Sequence, residues 1–266
     1  EGGRWGVDEG ALLPALRLTR EEAMAVFLSA RLMARYADEY DPDLGAAFQK
    51  LAEALPAVLG RHVERAIDQM ARRPTDDRHF RNVHLLTRAW AERRIVELVY
   101  DSAVYHPSRP LRRARVRPYL IEPSLATRSL YLIGLDETVD DLRTFKIERI
   151  RELTLTPTTF EVEDDLVVEE RLGLAWDMIA DQPPVEVVLR FAASVADRVA
   201  ETHWHPSERT EREPDGSLRW RATVSGTLAI RLWILSWGAD VEVLEPAPLR
   251  SDLATTAAAM AARYAG

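Results

Sequence analysis

The spacing of apolar residues changes character twice along this chain, and that change limits its fold more than any single motif does. Thr19-Arg20-Glu21-Glu22 reads as a capping box, with Thr19 as N-cap and Glu22 three residues on. Ala23, Val26, Phe27, Ala30 and Met33 follow at helical spacing, and the pattern fades near Asp41-Pro42. A second helix is expected over about 43–55, ending before Pro56. A third over about 57–72 carries Val58, Val63, Ile67 and Met70 and stops at Arg72-Arg73-Pro74. A polar stretch, Pro74 to Arg78, marks a boundary, and helix 81–93 leads into Ile95–Tyr100. There the period becomes two. Strands are expected at 95–100, 113–121, 129–135, 142–149 and 152–162, and five short strands behind one helix suggest a small antiparallel barrel. A short helix near 167–179 and the linker Asp181-Gln182-Pro183-Pro184 lead to a block of alternating type. Its expected elements are strand 185–191, helix 194–202, strand 218–224, helix 227–237, strand 240–244 and helix 251–264, an order that is ferredoxin-like. The expected fold class is therefore α+β, in five segments: 1–18, a helical linker or dimerisation segment 19–80, a barrel 81–162, a linker with a short helix 163–184, and a C-terminal domain 185–266.

Several function classes are excluded early. The chain has no cysteine, which removes disulfides, thiolate metal sites and a cysteine nucleophile, and fits a reducing cytoplasm. No apolar run reaches the roughly 18 residues of a membrane span, and no apolar core follows Glu1 as a signal peptide requires. A formal charge of −8 argues against a wholly basic duplex-binding domain. Gly2 to Val7 reads as a turn running into a short strand with nothing earlier to pair with, so a preceding domain is expected.

The chain has no G-x-S-x-G, P-loop, G-x-G-x-x-G or H-E-x-x-H pattern. His203-Trp204-His205 could aim two imidazoles one way, but no third ligand is evident. Asp140-Asp141 and Glu169-Glu170 read as solvated acids, and Trp233 and Trp237, four apart, as core. The anomaly lies elsewhere. Lys50 and Lys146 are the sole lysines among 35 bases, and residues 108–151 carry nine arginines and Lys146 against six acids. Arg113, Arg115 and Arg117 alternate, so on a strand they share one face, roughly 6.5–7 Å apart. Arg143, Phe145, Ile147 and Arg149 alternate in the same way, with Lys146 opposite, and Tyr119 and Tyr131 lie close by. Arginine interleaved with aromatics suits a single-stranded nucleic acid or a phosphorylated ligand, guanidinium to phosphate and ring to base. An arginine face paired internally with Glu97, Glu122 and Glu148 fits the same pattern.

Residues 81–162 resemble a WYL domain, a small Sm/SH3-like barrel. Arg115-Val116-Arg117-Pro118-Tyr119-Leu120 is similar to the family's R-x-x-P-x-x-L strand, and Leu130-Tyr131-Leu132 occupies the W-Y-L signature with leucine for tryptophan. Arg143 to Ile150 resembles R-x-F-R-L-D-R-I, with Lys146 and Glu148 as replacements. Trp233 to Gly238 and Val243 to Arg250 resemble the extension that usually follows, and Gly2–Val7 with Leu16–Thr19 the junction after a winged helix-turn-helix.

The resemblance implies the sensing region of a bacterial transcriptional regulator, not an enzyme and without a cofactor or metal. Its ligand would be single-stranded DNA or a nucleotide-like molecule. Promoter DNA would be read by a domain missing here, and the regulator would be a cytoplasmic homodimer. The positions carried over are Arg115, Tyr131, Arg143 and Arg149, then Lys146 and Tyr100, with Arg117 and Arg113 added from the alternation. Arg149 could equally tie backbone carbonyls together. Two other readings stay open: a constitutive dimerisation or protein-interaction module whose basic face meets an acidic stretch such as 161–170, and a hydrolase built on His203 and His205.

Overall fold

A computed structural model describes residues 17–36, 39–103, 108, 111–124, 126–161, 173–177 and 183–265, apart from the side chains of Met33 and Tyr36. The expected 1–18 remnant, the 167–179 helix and the acidic stretch beyond Glu161 lie wholly or largely outside them. The chain divides into two compact units, 1–80 and 81–266. Among the described residues no helix is long and apolar enough to cross a membrane.

The first unit packs α1 (Arg20–Tyr36), α2 (Pro42–Ala54) and α3 (Ala57–Met70). The capping box forms as expected: the Glu22 amide donates to Thr19 Oγ1 at 3.1 Å and the Thr19 amide to Glu22 Oε2 at 2.7 Å. Asp41 caps α2 by accepting from the amides of Asp43 and Leu44. Phe27 and Phe48 meet edge to face, 4.9 Å apart, over Val63, Ala66 and Met70.

The helix α4 (Asp77–Ala91) starts four residues before the expected 81, because Asp76 in the polar stretch accepts from the amides of Arg78 and His79 and serves as a cap. Five strands follow: β1 (Arg94–Asp101), β2 (Leu111–Ser124), β3 (Ser129–Asp136), β4 (Asp141–Lys146) and β5 (Ile150–Thr159). They form one antiparallel sheet in the order β4-β3-β2-β1-β5. The barrel expectation is corrected here. Among the described strands β4 and β5 are edges and do not pair, so the sheet is open. It is nonetheless strongly curled. Only Ile147–Arg149, a tight 3₁₀ turn, joins the two opposite edges. That link reaches about 15 Å at most, whereas a flat five-stranded sheet would hold its edges about 19 Å apart. The same turn ends β4 at Lys146, short of the expected 149, and takes Arg149 out of the strand alternation. The concave face carries Val96, Leu98, Ala114, Val116, Leu132 and Phe145, and Leu86 and Ala89 of α4 plug it. Asn82 of α4, itself buried, donates to the carbonyl of Ile150 at 3.0 Å and ties the plug to the far side of the turn.

The last block contains β6 (Pro184–Phe191), α5 (Ala196–Ala200), β7 (Arg209–Arg212), β8 (Leu218–Ser225), α6 (Ile230–Ser236), β9 (Val241–Glu245) and α7 (Ala247–Tyr264). Its sheet runs β7-β8-β6-β9, all antiparallel. Alternating Val187, Leu189 and Phe191 pack with Trp220, Ile230 and Ile234. Trp233 and Trp237 are core-packed, as their spacing suggested, beside Trp176, Trp204 and Trp220.

Gly134 on β3 lies where a Cβ would press on the Arg117 carbonyl and come within 2.8 Å of Val116 Cγ1. Gly134→Ala is expected to lower the unfolding free energy by about 1–3 kcal/mol through this overpacking, measured by urea denaturation of the purified chain.

Candidate ligand-binding site

Directly opposed residues of an antiparallel pair project from the same face, so the strand registers sort the expected site residues. Ala114 and Val116 belong to the concave core, which turns Arg113, Arg115 and Arg117 to the outward face. Arg113 stands opposite Val99, Arg115 opposite Glu97 and Arg117 opposite Leu135. Leu130 and Leu132 pack inward, so Tyr131 also faces out, opposite Glu122 on one side and Lys146 on the other. Tyr100 and Arg143 are on the concave side, Tyr100 in the core and Arg143 in phase with Phe145. Arg149 sits in the 3₁₀ turn. The eight residues therefore do not form one constellation. Even on the outward face, Arg113 and the Glu122 position opposite Tyr131 are separated by about 30 Å of strand.

What the outward face does assemble is an arginine group. Glu137, just after β3, accepts from Arg115 Nε at 2.7 Å and from Arg117 Nε at 2.8 Å, one carboxylate oxygen each. Arg115 Nη1 also donates to Glu97 Oε1 at 3.0 Å. Partial burial pushes the Glu137 carboxyl upward, but the guanidiniums of Arg117 and Arg115 outweigh it and hold the group below the usual range. Arg113 is exposed and makes no ion pair among the described residues. A groove of about 250 Å³ runs beside it, lined by Glu97, Val99, Arg113, Arg115, Thr138, Glu152 and Thr154. Guanidiniums, hydroxyls and carboxylates share this lining, so it can meet an anion and also accept hydrogen bonds from a ligand's own donors.

The concave end has a different chemistry. Arg112, absent from the expected set, lies in phase with inward Ala114 and Val116. Its Nη1 is 2.9 Å from Asp136 Oδ2, a fully buried carboxylate, and its guanidinium sits 5.3 Å over the Phe145 ring. Asp136 Oδ1 accepts from the amide and hydroxyl of Thr138. Tyr100 meets Phe145 edge to face, and its hydroxyl accepts from the Lys146 amide at 3.2 Å. Arg143 Nη2 lies 3.6 Å from Asp141 Oδ2. The strand parity of Arg112 already signals an inward guanidinium, which demands a buried acid. Arg151 donates to Asp101, and this bond, the Ala103 amide and the charge of Arg149 keep the Asp101 carboxyl below its ordinary value.

His203 and His205 lie in different settings, although Glu208 touches both residues. His203 is exposed and pairs with Glu208 at 2.8 Å. His205 is 3% exposed and stacks flat on Trp176. Among the described residues no group of three or more His, Asp or Glu could hold a metal ion.

Because the Glu137 carboxyl titrates lower folded than unfolded, its contribution to stability is present above the unfolded value, about 4.3, and is lost as pH falls through the folded one. Glu137→Gln is expected to cost about 1 kcal/mol near neutral pH. That difference shrinks as pH is lowered toward 4, measured by parallel urea titrations of both proteins.

Two family models match. A WYL domain matches residues 81–155, which takes in β1 to most of β5, and a WCX domain matches residues 183–261, the four-stranded sheet with its helices. Among solved structures, proteasome accessory factor B/C (PafBC) of Arthrobacter aurescens is 19% identical over 67% of this chain and 26% of its own, with a TM-score of 0.34. A CRISPR Cas-related protein is 13% identical over 70% of this chain and 52% of its own, with a TM-score of 0.49. The chain thus spans about a quarter and about half of those two proteins. No curated protein matches it. One sheet carries the first family's pattern and the other the second's, so that a WYL domain and a WCX domain follow one another in this chain.

Proposed function

We propose that residues 81–266 are the ligand-sensing region of a bacterial transcriptional regulator, and that the ligand is single-stranded DNA or a nucleotide-like molecule held on the outward face of the first sheet. The observation that carries this reading is the groove at Arg113 and Arg115. Arg113 brings an uncompensated charge, and Glu137 and Glu97 hold Arg115 in a fixed orientation. Prepositioned guanidiniums bind phosphate at a lower entropic cost than free ones. Thr138, Thr154, Glu97 and Glu152 offer acceptors to sugar hydroxyls and base amines. The volume, about 250 Å³, suits a phosphate and its sugar rather than a whole nucleotide, so a strand would be gripped at one backbone unit and run on along the face.

The four-stranded sheet, with α5 and α6 as its connections, we read as ferredoxin-like, and the helical segment 19–80 as the lever toward a DNA-reading domain in a cytoplasmic homodimer. Ligand binding would reset that lever through unequal affinity for two arrangements. This is binding and not catalysis. The competing reading, a constitutive interaction module with a structural arginine cluster, draws on the Glu137 bridge, which already satisfies part of Arg115 and Arg117.

Fluorescence anisotropy with a short labelled single strand separates the two. Salt-dependent binding is expected at about 0.1 M ionic strength. Arg113→Ala with Arg115→Ala is expected to weaken it by about tenfold or more. Absence of binding, or binding indifferent to those changes, leaves the interaction module as the better account.

A further inference from the structure

We propose that the helical unit carries a second, separate anion site, a cavity between α1 and α3 that takes a phosphate or diphosphate group. The cavity holds about 260 Å³ and is lined by Arg31 and Arg35 of α1, Gln69 of α3 and Arg73 just beyond it, over a floor that includes buried Ala66 and Met70. No acid lines it. Among the described residues none of the three guanidiniums makes an ion pair with a carboxylate.

Two of the three are held instead by groups that carry no negative charge. Arg31 Nη1 bonds to His62 Nε2 at 3.2 Å, and its guanidinium rests 5.9 Å from the centre of the Phe27 ring. Arg73 donates to the carbonyls of Ala34 and Arg35 in the last turn of α1. These partners fix position and leave charge uncompensated. Capping the C-terminal end of α1 is reason enough for Arg73. It does not account for Arg35, which is exposed, or for Gln69, whose amide has no hydrogen bond among the described residues. Arg31 and Arg35 are moreover four apart on one helix face, where like charges oppose each other and an anion between them relieves the repulsion.

Volume and chemistry set the ligand class. The space is below the roughly 300–1,000 Å³ usual for sites that enclose a whole small molecule. Guanidinium forks match paired phosphate oxygens, and Gln69 adds an amide donor. A free phosphate or diphosphate fits, or the phosphate end of a larger metabolite whose remainder stays in solvent.

The test is isothermal titration of the full chain with inorganic pyrophosphate. The protein carries Arg113→Ala and Lys146→Ala, which removes two cations of the first sheet that make no ion pair among the described residues. Saturable one-to-one binding is expected. Arg35→Gln, at an exposed position, should weaken it by about fivefold to tenfold, and Arg31→Gln added to it should weaken it further. Arg20→Gln, at the start of the same helix, should leave it unchanged. A single-stranded oligonucleotide runs as the second arm. No saturable heat with pyrophosphate, an unchanged affinity in Arg35→Gln, or binding of the oligonucleotide alone would each overturn the proposal.

Discussion

The turn Ile147–Arg149 is the constraint on which the first sheet depends. It joins consecutive strands that lie at opposite edges of five, and its length leaves the sheet no choice but to curl. Curling creates a concave face narrow enough for one helix to fill, and Leu86, Ala89 and Asn82 of α4 fill it. It also brings Tyr100 of β1 against Phe145 of β4, strands that are not neighbours in the sheet, and places the Tyr100 hydroxyl at the Lys146 amide. Without the curl, Arg112 would not reach the Phe145 ring.

The same geometry divides the arginines into two kinds. Those in phase with Ala114 and Val116 are drawn inward and must be neutralised, and Arg112 answers to Asp136. Those out of phase point to solvent, where Glu137 gathers Arg115 and Arg117 and leaves Arg113 alone. An arginine count of this size therefore does not amount to one patch. Ion pairing absorbs much of the local excess, and of the outward arginines on β2 Arg113 is left over, in the groove where β1, β2 and the segment after β3 meet.

Much of the fold was legible because its signals are local. The Thr19 capping box, the alternation of Val187, Leu189 and Phe191, and the apolar spacing of α1 to α3 each report an element without reference to the rest of the chain. What was illegible is non-local or lacks apolar pattern. Strand β7, Arg209–Arg212, is exposed along its whole length and carries no alternation to read. The cap at Asp76 sits in a stretch whose polarity suggests a boundary. The Arg143–Arg149 alternation suggested one continuous strand, and the 3₁₀ turn broke it. The candidate site suffered most, since residue spacing gives the parity of each strand but not the register between strands. Register put Arg143 and Tyr100 on the concave face and left Arg113, Arg115 and Arg117 on the other.

The central claim is that ligand meets the outward arginines and not the inward ones. Arginine side-chain N–H resonances followed during titration with a short single strand test it at each guanidinium. The account predicts that the Arg113 and Arg115 signals move with the binding curve while Arg112, locked to Asp136, stays in place. Movement confined to Arg112 and Arg143, with Arg113 and Arg115 unaffected, would contradict it.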